Sequence, residues 1–314
     1  MKPEFLFQRK TPALLLALLT MALWGSLFPV VKLGYRTFQV DTACVPDILL
    51  FAGLRFTVCG GLYVLLYSLS QRRFSVPASS TWPSVLWLGL FSIVLHYSFT
   101  YIGLAMNGGA KTAIVKQLGT LFAVCFGFLF QRGERFSWRK CAGGVLGFAS
   151  ILLINLDGGL SFHFNIGEFL VMLASFCTVA AGAAGKRAYQ DHSPVLLTAY
   201  AQLSGGLLLL AVGFVSGGRI TPTGWEAAGI FAYLCAASLI AYALWNTLLK
   251  FQNLSDLFLI KFTETLFAAV FSAMLLGEDI FRFTYLGSFV LICLGIALNK
   301  LTVPASRRKK EDSP

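Results

Sequence analysis

Long apolar stretches constrain this chain more than any other feature of its sequence. Ten of them reach the roughly 17 to 25 residues that a helix needs to cross about 30 Å of hydrocarbon. Only 12% of the residues are charged, which is about half the share that covers a soluble domain. The sequence therefore predicts an all-α integral membrane protein and excludes an ordinary soluble enzyme. The predicted spans are 13–35, 47–69, 82–104, 111–130, 140–156, 166–186, 194–216, 225–249, 256–276 and 283–301.

The distribution of basic residues predicts how the chain is oriented. Its formal net charge is +11, but Lys and Arg lie in short loops instead of along one face, which argues against a nucleic-acid partner. On the ten spans, 17 of the 25 basic residues fall on one side of the membrane and four on the other. The positive-inside rule then places both termini in the cytoplasm, at a plasma or inner membrane. Residues 302–314 are predicted to form a basic cytoplasmic tail.

The seven cysteines occur singly along the chain. They form no CxxC pair and no histidine stands beside them at metal-ligand spacing, so the sequence predicts neither a metal site nor a cofactor. Because nearly all of them lie inside apolar runs, we expect the cysteines to pack as small buried hydrophobes.

One short segment occurs twice. Residues 116–123, KQLGTLFA, match residues 261–268, KFTETLFA, at five of eight positions with an offset of 145. Each copy is followed by a Gly-Glu pair, at 133–134 and 277–278. A duplicated unit of five spans inserts its second copy in the opposite orientation, which is typical of secondary transporters. The sequence thus predicts a first five-helix repeat over 11–156 and an inverted second repeat over 166–301.

Several motifs resemble a known family. Residues 24–32, WGSLFPVVK, are similar to the opening pattern of the EamA-type carriers of the drug/metabolite transporter superfamily, and Leu54-Arg55-Phe56, Leu244-Trp245-Asn246 and the two Gly-Glu pairs follow in the family's order. The resemblance implies ten transmembrane helices in two inverted five-helix repeats. It leaves the cargo open, because members carry amino acids, other metabolites, nucleotide sugars, sugar phosphates or drugs.

The chain departs from the family's pattern at two equivalent positions. Thr120 and Thr265 stand where the family usually has a proline that kinks the fourth helix of each repeat. A threonine hydroxyl can bond to the carbonyl one turn back and bend a helix more gently. We therefore expect both bends to persist in a weaker form.

Ionisable residues inside spans are costly and are therefore candidates for function. Lys116 and Lys261 are equivalent in the repeat, which places them at matching depths on opposite sides of the midplane. They attract an anionic group of the cargo, or they extend outward to the membrane interface. Glu264, one turn after Lys261, either pairs with it or carries a coupling proton. His96 is a second candidate for proton coupling, with hydrogen-bonded packing as the alternative.

Arg55 and Pro29 are predicted to be structural. A guanidinium inside a span must find a partner, which Asp47, helix carbonyls or a substrate carboxylate could supply. Pro29 removes the backbone hydrogen bond to Gly25, and a kink that shapes packing is favoured over contact with cargo. The remaining substrate-binding candidates, which could instead hydrogen-bond or pack between helices, are Trp24, Ser26, Phe28, Tyr97, Gln202, Tyr242 and Asn246.

Glycines in the fifth and tenth spans predict close helix packing. Gly143 and Gly147 form a GxxxG pattern, and Gly287 and Gly295 make the last span similarly lean. These helices are expected to be packing surfaces, with a homodimer contact as one use of them.

The sequence as a whole predicts a secondary transporter that moves a small polar metabolite, amino acid-like or another organic solute, by alternating access. Export is expected from the resemblance alone. Its partners are membrane lipid, the small-molecule substrate and a coupling proton. The alternatives are a multi-pass membrane enzyme, for which the scattered residues His96, His163 and His192 supply no recognisable site, and a channel, which would need a continuous polar stripe along several helices.

Overall fold

A computed structural model of the chain describes residues 4–106, 109–129, 135–154, 165–277 and 283–300, and their regular elements are helices. The prediction of an all-α protein is confirmed for this part of the chain. The α-helices are α1 (Glu4–Gln8), α2 (Lys10–Thr37), α3 (Val45–Ser70), α4 (Trp82–Gly89), α5 (His96–Met106), α6 (Gly109–Phe126), α7 (Trp138–Ile154), α8 (Ile166–Asp191), α9 (Pro194–Val215), α10 (Gly224–Phe251), α11 (Leu254–Lys261), α12 (Thr263–Leu276) and α13 (Phe283–Lys300).

Seven helical segments of the described residues are long and apolar enough to cross a membrane. Two shorter apolar helices, Val115–Leu129 and Leu286–Leu298, accompany them. Large apolar side chains such as Phe214 and Met274 are exposed on the outer surface, where lipid rather than water can cover them. Helices lie over all ten predicted spans, while the crossing of the membrane by all ten stays a prediction. The seven segments are Lys10–Thr37, Val45–Ser70, Ser79–Gly103, Ile166–Asp191, Pro194–Val215, Gly224–Phe251 and Leu254–Leu276.

Local sequence signals set several helix ends. The Asn165 side chain accepts hydrogen bonds from the backbone N–H groups of Gly167 and Glu168, and the Glu168 carboxylate accepts one from the Asn165 N–H, which forms a capping box. At the end of α12, Gly277 has a φ of +69°, a left-handed conformation that favours glycine. Gly277 begins the second Gly-Glu pair; Glu278, the first pair at 133–134 and the basic tail lie outside the described residues.

Glycines bring two pairs of helices into backbone contact. Along α3 and α9, a Cβ added to Gly53 would lie 2.3 Å from the backbone nitrogen of Leu210, and one added to Gly60 would lie 2.3 Å from that of Leu203. Between α7 and α13, Gly143 faces Gly295. The predicted close packing of the fifth and tenth spans is therefore confirmed. These glycines meet inside one chain, and a homodimer contact through these helices stays a prediction.

The threonine back-bonds expected at two bends are absent from the described residues. The interruption between α11 and α12 is centred on Phe262, whose N–H bonds to the Leu259 carbonyl at 3.4 Å, three residues back. The Thr265 hydroxyl instead accepts a hydrogen bond from the Gln117 amide of α6 at 3.4 Å, and Thr120 makes no bond to the carbonyl one turn back. The helix over the ninth span is thus interrupted before Thr265 by a tighter turn at Phe262.

Two sets of hydrogen bonds join the loops at opposite ends of the bundle. At the end where α3 begins, Asp47 accepts a hydrogen bond from the Arg219 N–H at 2.7 Å, and the Thr223 N–H bonds to the Thr37 carbonyl at 2.8 Å. At the end where α3 finishes, the Tyr200 hydroxyl donates to the Ser75 carbonyl at 3.1 Å. Each set connects the first half of the chain to the second.

The cysteines are less uniformly buried than expected. Cys59, Cys177 and Cys235 are buried, Cys44, Cys125 and Cys141 are half-buried, and all are free thiols. Cys293 is exposed on α13, so the expectation of burial is wrong there. Its position on an apolar helix is still compatible with lipid contact.

Candidate functional site

Lys261 faces an aromatic group inside the bundle. Its ammonium nitrogen lies 5.3 Å from the ring centre of Trp24, 5.7 Å from that of Trp245 and 5.6 Å from that of Phe258. These distances are in the range of cation–π attraction, which strengthens when the cation is desolvated. Three different helices, α2, α10 and α11, supply the rings. The side chain therefore points toward the helix interior instead of extending to the membrane interface.

Lys116 lies in the same interior region. Its ammonium nitrogen is 5.4 Å from the ring centre of Phe28, which belongs to α2. The charges of Lys116 and Lys261 are close enough to interact, and both act on His96. The two equivalent lysines of the repeated segment therefore each lie against a different ring of α2.

Glu264 does not form the ion pair predicted with Lys261. Among the described residues, no carboxylate lies within 4.0 Å of the Lys261 ammonium. Glu264 is buried, and its Oε2 atom has no hydrogen-bond partner. The physical reason is the break at Phe262, which separates the two residues and lets the lysine turn toward the rings. The two charges still interact at longer range.

His96 is anchored by hydrogen bonding to α8. Its Nδ1 atom lies 3.1 Å from the Ala174 carbonyl oxygen and 2.9 Å from the Thr178 hydroxyl. It starts α5, directly after a π-helical segment at Leu90–Leu95. Such segments often occur at functional sites. The two contacts favour the packing role for His96 over proton coupling.

Arg55 is buried without the partner that the sequence suggested. It is 3% exposed, and its Nε atom has no hydrogen-bond partner. The guanidinium lies over two rings, with its carbon 4.5 Å from the centre of Phe56 and 5.6 Å from that of Tyr97. Asp47 is occupied elsewhere, since its carboxylate accepts hydrogen bonds from the N–H groups of Arg219 and Asp41. The suggested pairing of Arg55 with Asp47 is therefore wrong.

Two of the substrate-binding candidates instead join helices. The Ser26 hydroxyl lies 2.6 Å from the Tyr233 hydroxyl and donates to the Leu23 carbonyl. The Asn246 amide donates to the Thr198 hydroxyl at 2.7 Å. Both residues are therefore engaged in interhelical bonds, which was the alternative to cargo contact.

Tyr97 and Tyr242 lie among the interior aromatic rings, whereas the Phe28 ring is 46% exposed. Tyr242 packs edge-on against Trp24 at 5.5 Å between ring centres and against Phe56 at 6.3 Å, and Tyr97 packs on Phe56 at 4.7 Å. Gln202 is buried, and neither atom of its side-chain amide has a partner. This arrangement connects the Lys261 region to the Arg55 region through Trp24, Tyr242 and Phe56.

Pro29 is buried within an uninterrupted α2. One turn earlier, a Cβ added to Gly25 would lie 2.8 Å from the backbone nitrogen of Ala268 in α12. This close contact packs α2 against α12 one turn before Pro29.

Sequence reasoning missed Gln117 and Phe258. Gln117 donates to Thr265 across the α6–α12 contact, while its Oε1 atom is buried without a partner. A polar residue beside Lys116 in the repeated segment was the signal that could have indicated it. Nothing in the sequence distinguishes Phe258 from the many other phenylalanines in the spans.

Two surface clefts lie away from these residues. One has a volume of about 210 Å³ and is lined by residues that include Pro83 and Trp87; the other has a volume of about 540 Å³ and lies between α3 and α10. Within the described ranges, no three His, Cys, Asp or Glu side chains are grouped as metal ligands. The buried charged residues, rather than these clefts, form the candidate site.

A family comparison accounts for the fold. The model of the EamA-like transporter family matches residues 11–156 and again residues 165–301. The chain belongs to the EamA family. It is a multi-pass membrane transporter, because the family is one of transporters and the described helices are long and apolar enough to span a membrane.

Curated relatives of this EamA protein are named as transporters. An uncharacterized transporter of Archaeoglobus fulgidus is 25% identical and covers 88% of this chain and 94% of its own length. A probable amino-acid metabolite efflux pump of Salmonella typhimurium is 24% identical, with coverage of 90% and 93%. An S-adenosylmethionine/S-adenosylhomocysteine transporter of Chlamydia muridarum is 26% identical, with coverage of 85% of each chain. These names indicate transport rather than enzymatic activity.

A solved crystal structure has the same fold as this EamA protein. The two chains superpose with a TM-score of 0.76 over 93% of this chain and 99% of the other, at 20% sequence identity. At that identity the likeness extends to the fold alone.

Proposed function

We propose that this EamA transporter moves a small polar metabolite, amino acid-like or a related organic solute, outward across the cytoplasmic membrane. The observation that carries the proposal is the cluster of Lys116, Lys261 and Glu264 among aromatic rings in the helix interior. Each ionisable group inside a span costs about 2.5 to 3.5 kcal/mol on insertion scales, so such a cluster is expected where it binds something. One efflux relative supports the outward direction.

The proposed mechanism is alternating access between two inverted five-helix repeats, 11–156 and 166–301, with ten spans and both termini in the cytoplasm. Inverted copies can exchange conformations, which opens a central site first to one side and then to the other. The loop contacts at the two bundle ends, Asp47 with Arg219 and Tyr200 with Ser75, are the bonds that such an exchange must break and form.

The charges of the cluster suggest how cargo binds. The two lysines attract an anionic group, and the rings of Trp24 and Phe28 cover apolar parts of the cargo. Relatives named for amino-acid metabolites and for S-adenosylmethionine support an amino acid-like class. Glu264, whose Oε2 atom has no partner, is the proposed carrier of the coupling proton.

The test is metabolite export from a bacterial host that expresses the full chain. Small metabolites in the medium are quantified for the wild type, for Lys116→Ala with Lys261→Ala, and for Lys10→Ala, an exposed lysine at the start of α2, at equal membrane abundance. We expect one metabolite class to rise with the wild type and with Lys10→Ala, and to fall at least about tenfold with the double variant.

Two results would contradict parts of this proposal. Equal export by the double variant would show that the two lysines do not bind cargo, while the proposed transport would still stand. No change in any metabolite, in the medium or taken up by inverted membrane vesicles, would overturn the proposed cargo class. A carrier also predicts saturable flux and counterflow in proteoliposomes, whereas flux that rises linearly with concentration would indicate a channel.

A further inference from the structure

We infer that Arg55 binds the carboxylate of a small monocarboxylate cargo, such as an amino acid, rather than serving the structural role expected from the sequence. The inference rests on the proposed function, because it names the chemical class of the cargo. The Arg55 side chain is deeply buried. Arg55 is 3% exposed and lies ten residues into α3, well inside the helix. A guanidinium stays charged at any relevant pH, so its charge must be compensated in place.

The described part of the chain supplies no compensating anion beside Arg55. Within the described residues no carboxylate lies within 4.0 Å of the guanidinium, and its Nε atom is buried without a hydrogen-bond partner. Asp47, on the same helix, is held by the N–H groups of Arg219 and Asp41. A buried charge without a partner costs several kcal/mol, so the fold alone gives no reason to keep an arginine here.

The surroundings suit a carboxylate. Phe56 and Tyr97 lie under the guanidinium, and the phenol groups of Tyr101 and Tyr242 are close enough to interact with its charge. Guanidinium presents its N–H groups in a planar fork that matches the two oxygens of a carboxylate. A tyrosine hydroxyl can donate to a carboxylate lone pair that the fork leaves unused.

A single positive charge favours a monoanion. Among the described cation–ring contacts, Arg55 is the one cation over Phe56 and Tyr97. Lys116 lies over Phe28 instead, and Lys261 lies over Trp24. One carboxylate neutralises one guanidinium, whereas a phosphate dianion would leave an uncompensated charge at low dielectric. The chemistry therefore points to carboxylates over phosphates.

The Arg55 site is continuous with the proposed cargo site. The rings of Phe56 and Tyr242 lie 6.3 Å apart and those of Tyr242 and Trp24 lie 5.5 Å apart, and Trp24 contacts the Lys261 ammonium. A cargo with its carboxylate at Arg55 would thus extend its remaining atoms along Tyr242 and Trp24. The single carboxylate that Arg55 binds is then the anionic group that the lysines attract.

The first arm of the test needs no cargo. Thermal unfolding of the purified full-length chain in detergent is followed by tryptophan fluorescence for the wild type, Arg55→Met and Arg36→Met, the last at an exposed arginine in the final turn of α2. An uncompensated guanidinium predicts that Arg55→Met raises Tm by about 2 °C or more, because apolar replacements of buried charges are often stabilising. Arg36→Met should leave Tm nearly unchanged. A lower Tm for Arg55→Met, or its failure to fold, would establish the structural role and overturn the inference.

The second arm measures recognition. The same assay is run with the proteinogenic L-amino acids, benzoate, inorganic phosphate and the methyl ester of each acid that raises Tm. We expect at least one monocarboxylate to stabilise the wild type, its ester to have no effect, and Arg55→Lys to weaken apparent affinity at least about tenfold, because lysine keeps the charge and loses the fork. No binding by any acid, equal binding of the ester, stronger binding of phosphate, or undiminished affinity in Arg55→Lys would each contradict the assignment.

Failure of this inference is distinguishable from failure of the proposed function. Carboxylate binding that depends on Arg55, without flux in proteoliposomes, would leave the inference standing and remove transport of that cargo. Export that persists in Arg55→Lys with unchanged affinity would leave the proposed transport standing and would show that Arg55 does not bind the carboxylate.

Discussion

Gly143 of α7 and Gly295 of α13 pack so closely that a Cβ added to either residue would lie 2.7 Å from the carbonyl oxygen of the other. The neighbouring atom in each case is backbone, which cannot rotate away as a side chain can. The two helices are therefore held at a separation that only glycine permits at these positions. This contact accounts for the glycine pattern in the fifth and tenth spans.

Replacement of Gly143 by alanine should destabilise the transporter by about 1 to 3 kcal/mol, because the added methyl group forces two backbones apart. Gly295→Ala should behave alike. Thermal unfolding in detergent measures the effect, with Gly229→Ala in α10 as the control, since a Cβ there meets nothing within 4 Å. The control should be neutral or stabilising by roughly 0.5 to 1 kcal/mol. A Gly143→Ala protein as stable as the control would contradict the packing explanation.

Removal of the Asp47 carboxylate should loosen one end of the bundle. Asp47→Ala takes the acceptor from the Arg219 N–H, 2.7 Å away, and from the Asp41 N–H, 3.3 Å away. We expect a loss of about 1 kcal/mol or more in the free energy of unfolding, with Asp47→Asn intermediate because its amide keeps one acceptor oxygen. Urea or thermal unfolding gives the measurement. Glu226→Gln, at an exposed acid in the first turn of α10, is the control, and equal stability of Asp47→Ala and this control would refute the prediction.

Glu264 and His96 should differ in their effect on the pH dependence of transport. The charged or titratable groups that interact with Glu264 are Lys261 and Tyr242. If Glu264 carries the coupling proton, Glu264→Gln removes the response of flux to an imposed pH gradient and retains counterflow. His96→Gln keeps the response, because His96 is hydrogen-bonded to Ala174 and Thr178. Flux of the exported metabolite into proteoliposomes is the readout, and the opposite pattern would assign coupling to His96.

Much of the fold could be predicted from sequence. One or more described helices lie over each predicted span, because the length of an apolar run sets where a chain can cross lipid. Gly277 ends α12 where the second Gly-Glu pair had placed the end of a helix. The glycines of the fifth and tenth spans predicted close packing, which Gly143 and Gly295 confirm. Each of these features was predicted from a pattern of residues within a single span.

The partners of individual side chains were much less predictable. The pairings of Arg55 with Asp47 and of Lys261 with Glu264 both looked reasonable along one helix, and neither forms. The guanidinium lies over Phe56 and Tyr97, and the ammonium lies among rings from three helices. Ser26 and Asn246 found partners 207 and 48 residues away along the chain.

The sequence by itself determined that the chain is helical, that it belongs in a membrane, and which charged residues lie inside the spans. Only the tertiary structure decided that, among the described residues, Arg55 is buried without an anion beside it and that Lys116 and Lys261 each lie against a ring of α2. The reason is physical: hydropathy is a property of consecutive residues, whereas a contact between helices depends on how each helix is rotated and bent in the bundle.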